Sequence, residues 1–230
     1  MKQIVTRAIV IARTNFQEAD RILTVLTPDH GKVRLIAKGV RRIKSKMAGG
    51  IELLSVSDIT FIMGRGEVST LVSARLFRHF GTIVKDIDRT MMAYNFMKWI
   101  NRATEDAAEQ DYFLLMERAL TSLDNTGIPV DMIELWFSMQ LLKISGHAPN
   151  LRTDVNNAFL LPDERYEFRI EPMAFEQYAR GSFRANEIKV LRLGLRAETP
   201  EVIANVTDVA GVIPSVLPLA RSILKHSVRI

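Results

Sequence analysis

The chain has 230 residues, 47% hydrophobic and 25% charged, which is the composition of a folded chain with a sizeable core rather than a disordered one. It contains no cysteine, which excludes disulfides, thiolate zinc ligands and a thiol nucleophile. The net charge of +5 is unevenly spread: residues 1–80 hold 14 Lys and Arg against 6 Asp and Glu, and the remainder 17 against 20. A basic amino-terminal third on a near-neutral remainder points to a polyanionic partner for that third, an ordinary basic surface being the alternative. No run approaches the ~18 apolar residues of a membrane span, and Arg7 and Arg13 interrupt the apolar opening, so no targeting segment is expected and a soluble, intracellular protein is.

In chain order, Ile4–Thr14 and Arg21–Leu26 are rich in β-branched residues and predict two strands. His30-Gly31 marks a turn, and Lys32–Lys38 follows as a third strand. Leu53–Met63 and Val68–Phe77 predict two more, joined by Gly64-Arg65-Gly66, where glycine permits a tight hairpin. Five strands in about 80 residues, with a longer excursion after the third, suit a small Greek-key barrel.

From about Ile83 the period changes from two to 3.6. Ile87, Met91, Tyr94 and Met97 mark one helix. Tyr112, Leu115, Met116, Ala119, Leu120 and Leu123 give the buried stripe of a second, and Ile133, Trp136, Phe137, Gln140, Leu141 and Ile144 repeat that spacing. Residues 147–172 break the pattern with Pro149, Asn156-Asn157 and Pro162-Asp163, and predict a loop and hairpin set into a helical domain. Helical spacing resumes at Ile188, Leu191 and Leu195, and again at Val216, Ala220, Ile223 and Ser227. The fold class is therefore α+β, with a barrel over 1–80 and a mainly helical domain over 81–230.

The sharpest local feature is Lys38-Gly39-Val40-Arg41-Arg42-Ile43-Lys44-Ser45-Lys46, five cations in nine residues with no acid. Such a loop can follow a phosphate backbone without reading bases, because lysine and arginine displace condensed counterions; a solvated charge run is the alternative. Alternation places Lys32, Arg34 and Lys38 on one face of the third strand, with Val33, Leu35 and Ala37 toward the core. Arg65 at the hairpin tip, with Arg75 and Arg78, would extend that track. Among the barrel's phenylalanines, Phe16 lies in a polar stretch and is the candidate for base stacking, while Phe61, Phe77 and Phe80 read as core. In the helical domain Lys189, Arg192 and Arg196 share a face, as do Arg221, Lys225 and Arg229.

Signals for an enzyme are missing. There is no G-x-x-x-x-G-K-[ST] phosphate loop, no H-E-x-x-H and no G-x-S-x-G, and the four histidines are scattered without carboxylates at ligand spacing. No cofactor or metal is expected. On these residues alone, an RNA-binding barrel of translation or ribosome assembly and a non-enzymatic interaction scaffold both stand as alternatives to a DNA-binding protein.

The stretch Glu18-Ala19-Asp20-Arg21-Ile22-Leu23-Thr24-Val25-Leu26-Thr27-Pro28-Asp29-His30-Gly31-Lys32 resembles the start of the RecO family of DNA repair proteins. So do Leu35-Ile36-Ala37-Lys38-Gly39-Val40-Arg41-Arg42, Gly50-Ile51-Glu52-Leu53 and Gly64-Arg65-Gly66-Glu67. A looser likeness continues through Leu141-Leu142-Lys143-Ile144-Ser145-Gly146-His147-Ala148-Pro149-Asn150-Leu151. The resemblance implies an oligonucleotide-binding (OB) barrel followed by a helical domain. It further implies binding of single- and double-stranded DNA, annealing of complementary strands and, with RecR, loading of RecA onto strands coated by single-stranded-DNA-binding protein (SSB). Such a protein is bacterial, cytoplasmic and nucleoid-associated. The acidic tail of SSB needs an apolar pocket rimmed by cations, for which Lys189, Arg192, Arg196 and Arg221 are the candidates. Many family members bind zinc through four cysteines, beginning with a C-x-x-C pair. The corresponding positions here are Asp154 and Asn157, so a metal-free loop and hairpin is expected, packed by Phe159, Leu160, Tyr166 and Phe168.

Overall fold

Strand β1 (Gln3–Phe16) is long enough to serve two neighbours in a computed structural model that describes residues 2–64, 66–104 and 110–228. Its first half pairs with β4 (Ser55–Ile62), and its second half pairs with β2 (Asp20–Thr27). An irregularity between Val10 and Ala12 separates the halves and bends the strand, as bulges do. With β3 (Gly31–Ala37) and β5 (Val68–His79) the strands close in the order β1-β2-β3-β5-β4, with β3 and β5 parallel and the other pairs antiparallel. The closing seam is short, Arg34–Ile36 of β3 against Val68–Thr70 of β5. Alternation fills the interior with Ile4, Ala8, Val10, Leu23, Val25, Leu35, Ala37, Ile59, Phe61 and Leu71. Between β3 and β4 a short turn of helix, Ala48–Ile51, plugs the barrel with buried Ile51.

Two helices belong to the same unit, which runs from Met1 to Asp124, past the change from strand to helical periodicity near residue 80. They are α1 (Ile87–Ala103) and α2 (Gln110–Asp124). Helix α1 packs on β1, and α2 on β2 and β3. This explains why Ile9 and its cross-strand partner Leu26 are buried although they lie outside the barrel's interior cluster. The carboxylate of Asp86 caps α1 by accepting from the Asp88 and Arg89 amides. The stripe expected on α2 is buried in full. On α1 only Met97 of the four expected residues is buried. Ile87, Met91 and Tyr94 are exposed, and the helix instead buries Ala93, Phe96, Met97 and Ile100 together with Arg89, whose guanidinium reaches the carbonyl of Leu123 at 2.9 Å.

The second unit spans Asn125–Ile230. Its centre is α3 (Val130–Ile144), which buries most of its residues and packs against α4 (Ala185–Arg196), the short α5 (Pro200–Ala204) and α6 (Val209–Val228). The indole of Trp136 donates to the carbonyl of Ala197 at 2.9 Å. The expected loop and hairpin is a three-stranded sheet, β6 (Asn150–Asp154), β8 (Ala174–Gln177) and β7 (Tyr166–Arg169), ordered β6-β8-β7. Strand β8 lies beyond the expected limit of residue 172. Tyr166, Phe168 and Phe183 surround Phe175 edge-on, so Tyr166 and Phe168 pack as expected. Phe159 does not: it is 65% exposed. Among the described residues no helix is long and apolar enough to cross a membrane.

Candidate nucleic-acid interface

The register of β2 and β3 sorts their side chains. Leu23 and Leu35 pair inside the barrel, while Ile22 with Ile36 and Thr24 with Arg34 pair on the outer face. On β1, Thr14 opposes Ile22 and Phe16 opposes Asp20, so Phe16 joins that face. Phe16 is 38% exposed, Lys38 is exposed at the same end of the face, and Arg34 is exposed further along β3, opposite Thr24. The ion pair of Arg34 with Glu67, 3.5 Å long and solvated at both ends, holds it weakly. Lys32 occupies the same face in register, but α1 uses its ammonium. Nζ donates to the carbonyls of Asn101 (3.1 Å) and Thr104 at the helix's carboxyl end, where a cation complements the helix dipole.

The basic loop is anchored at its start and open beyond. Gly39 adopts φ +65° and donates its amide to the Asp20 carboxylate at 2.7 Å. Val40 is buried in the barrel core. The Arg41 amide donates to the Ala19 carbonyl at 2.9 Å, and its guanidinium to the carbonyls of Glu18 (3.0 Å) and Gln17 (3.4 Å). Arg41 therefore fastens the loop to the β1–β2 turn that directly follows Phe16. Beyond it, turns closed by Arg42 on Gly39 and by Ser45 on Arg42 leave Arg42, Lys44 and Lys46 exposed, with their side chains in no ion pair among the described residues. The nearby acid Glu52 is already engaged by Arg13 at 2.5 Å and Arg21 at 3.7 Å.

Arg65 lies outside the described residues. Arg75 and Arg78 do not extend the track: they oppose Asp58 and Val56 on β4, whereas β5 pairs with β3 only through Val68–Thr70. Phe61 and Phe80 are core residues, but Phe77 is 54% exposed.

In the second unit, Arg192 and Arg196 meet Arg152 around a cleft of about 710 Å³, with Leu151, Leu195 and exposed Phe159 in its walls. Arg192 is fixed by donating from Nε to the Leu151 carbonyl at 2.7 Å, and Arg152 lies over the Phe159 ring at 5.4 Å. Arg152 and Phe159 are lining residues that sequence reasoning missed, because Arg152 sits on β6 and Phe159 in the segment bridged to it, and only the fold carries them to α4. Lys189 is exposed on α4 away from this lining. Arg221 is engaged elsewhere, in a bidentate pair with buried Glu134 at 2.6 Å and 2.6 Å. Those hydrogen bonds, against the opposing cost of burial and with the added pull of the Glu134 and Asp131 charges, raise its pKa.

The residues at the positions where the resemblance implies a zinc site do not fit a metal. Among those described, no group of three His, Asp or Glu could hold a metal. Asp154 is buried and its Oδ1 accepts from the amides of Asn156 and Ala158, each at 2.8 Å, while Asn157 takes φ +64° to close the turn.

Residues 1–80 match the family described as recombination protein O N terminal, and residues 84–199 match recombination protein O C terminal. The chain belongs to the recombination protein O family. The DNA repair protein RecO of Dehalococcoides mccartyi strain 195 is 34% identical over 152 residues, 66% of this chain and 59% of the relative. That of Rubrobacter xylanophilus is 33% identical over 146 residues, 64% of this chain and 58% of its own. That of Streptomyces coelicolor is 33% identical over 150 residues, 61% and 60%. The match spans less than two thirds of each relative's length. The α+β architecture, with an OB barrel preceding the helices, is that of the family.

Proposed function

We propose that this RecO-family protein acts in DNA repair and recombination as a non-enzymatic mediator. It binds single- and double-stranded DNA, anneals complementary strands and, with RecR, assists RecA onto SSB-coated strands in the bacterial cytoplasm. The observation that carries this reading is the basic loop: Arg41 ties it to the turn beside Phe16 and leaves Arg42, Lys44 and Lys46 uncompensated in solvent. Cations arranged in this way gain by releasing counterions from any phosphate backbone, which predicts affinity without sequence preference and a steep dependence on salt. Arg34, Lys38 and Phe16 continue the path on the outer face of the barrel, Phe16 offering a ring on which bases of any sequence stack.

The acidic carboxyl-terminal tail of SSB is assigned to the cleft of Arg152, Arg192 and Arg196. Apolar walls beneath three guanidinium groups suit a peptide that carries carboxylates and ends in an aromatic residue. Lys189 lies outside that lining and Arg221 is engaged by Glu134, so neither belongs to the proposed site. The test is fluorescence anisotropy with a labelled single-stranded oligonucleotide at several salt concentrations, and with an acidic SSB-tail peptide separately. Salt-dependent DNA binding together with peptide binding is expected. Peptide binding without DNA binding would make the protein a scaffold and overturn the mediator reading.

A further inference from the structure

We infer that the outer face of β1–β4–β5 is a second contact for single-stranded DNA, with the Phe77 ring as its stacking platform; this rests on the DNA-binding reading of the first face. The two faces use different strand pairs. The first lies on β2, β3 and the second half of β1, and the other on β4, β5 and the first half of β1.

Three observations single out Phe77. The register of β4 with β5 slips between Val56, opposite Arg78, and Ser57, opposite Leu76, so Phe77 is the unpaired residue of a bulge. Bulges re-aim side chains, and this one presents a phenylalanine to solvent, 54% exposed, near the carboxyl end of β5. The guanidinium of Arg7 lies 4.1 Å from the Phe77 ring centroid, and Asp58 steadies it from the neighbouring strand at 3.9 Å. An aromatic ring and a guanidinium plane are both surfaces on which a nucleobase stacks. Finally, Arg75 opposes Asp58 on this face, and Arg78 follows the bulge with its guanidinium 4.7 Å over Phe80. Three arginines against one carboxylate suit a phosphate backbone.

An exposed cation–aromatic pair adds little to sheet stability, so packing alone does not account for a ring held outward in this way. Two strands held on separate faces of one barrel would give a direct route to pairing them.

The experiment titrates the whole protein with an oligothymidine too short to reach both faces and counts bound strands by sedimentation. The wild type is expected to carry two strands. Phe77→Ala should carry one, with the salt dependence of the remaining strand unchanged, and its loss of affinity at the second site should be about tenfold or more. Phe77→Trp, which keeps an aromatic surface, should carry two. The triple variant R42A/K44A/K46A should weaken the other strand's binding and its salt dependence while keeping the Phe77 site unchanged. Two strands bound with equal affinity by wild type and F77A would overturn the proposal. So would retention of both strands by F77A with loss of binding to a partner protein, which would make the face a protein contact. A wild type that binds no oligonucleotide would instead remove the DNA-binding reading beneath it.

Discussion

Glu134 shows how much one residue can depend on another. Its side chain is 4% exposed among the mainly apolar buried residues of α3, and Arg221 supplies both of its strong hydrogen bonds. Removing the arginine strands a buried carboxylate. Because Arg221 is itself 55% exposed and water can approach, R221A is expected to cost about 2 kcal/mol rather than the full penalty of a buried pair. A folded-state pKa raised above an already high value means the arginine's contribution is complete below the ordinary arginine pKa and lost only above the raised one. The drop in melting temperature should therefore be the same at neutral and mildly alkaline pH. Asp154 makes a parallel case. D154A should destabilise the second unit by about 1 kcal/mol, because two turn amides lose the buried carboxylate that accepts from them, and D154N should recover part of that loss. A chelator should leave the melting curve of the wild type unmoved, and a fall in melting temperature on chelation would show a metal where hydrogen bonds are assigned the role.

At the scale of elements, strand alternation and the stripe of α2 were legible in the sequence because each has a single apolar face to bury. Helix α1 was not, since Ile87, Met91 and Tyr94 make as good a helical stripe as Ala93, Phe96, Met97 and Ile100, and only the element packed against it chooses between them. Lys32 follows the same logic. Its face follows from alternation, but the carbonyls that take its ammonium are 69 and 72 residues away. The exposure of Phe77 comes from a slip in cross-strand register, which local composition does not announce. The Gly50 segment, which the sequence marks only through its family resemblance, has a packing reason: a Cβ there would meet the backbone of Ala74 at 2.6 Å. G50A should cost about 1–3 kcal/mol as β5 or the Ala48–Ile51 turn shifts, measured by denaturant unfolding. In the second unit, R192A and R196A should each weaken binding of an acidic peptide severalfold, while K189A and R221A leave it nearly unchanged at a temperature where all variants are folded.

For the whole molecule, the uneven charge is the feature that sequence and structure describe alike. The net +8 of residues 1–80 is concentrated in a loop whose first arginine serves as an anchor and whose later cations face water. Arg41 and the later three therefore have different parts. Arg41→Ala should loosen the loop, whereas Arg42, Lys44 and Lys46 should each carry a share of the phosphate neutralisation. The most direct measurement is the slope of log affinity against log salt for a single-stranded oligonucleotide, in the wild type and in R42A/K44A/K46A. Every phosphate of a single strand that the protein no longer neutralises lowers that slope by about 0.7, so the triple variant should bind more weakly and with a slope smaller by about 2. A triple variant with the wild-type slope would contradict the account, and would take the basic loop out of the interface.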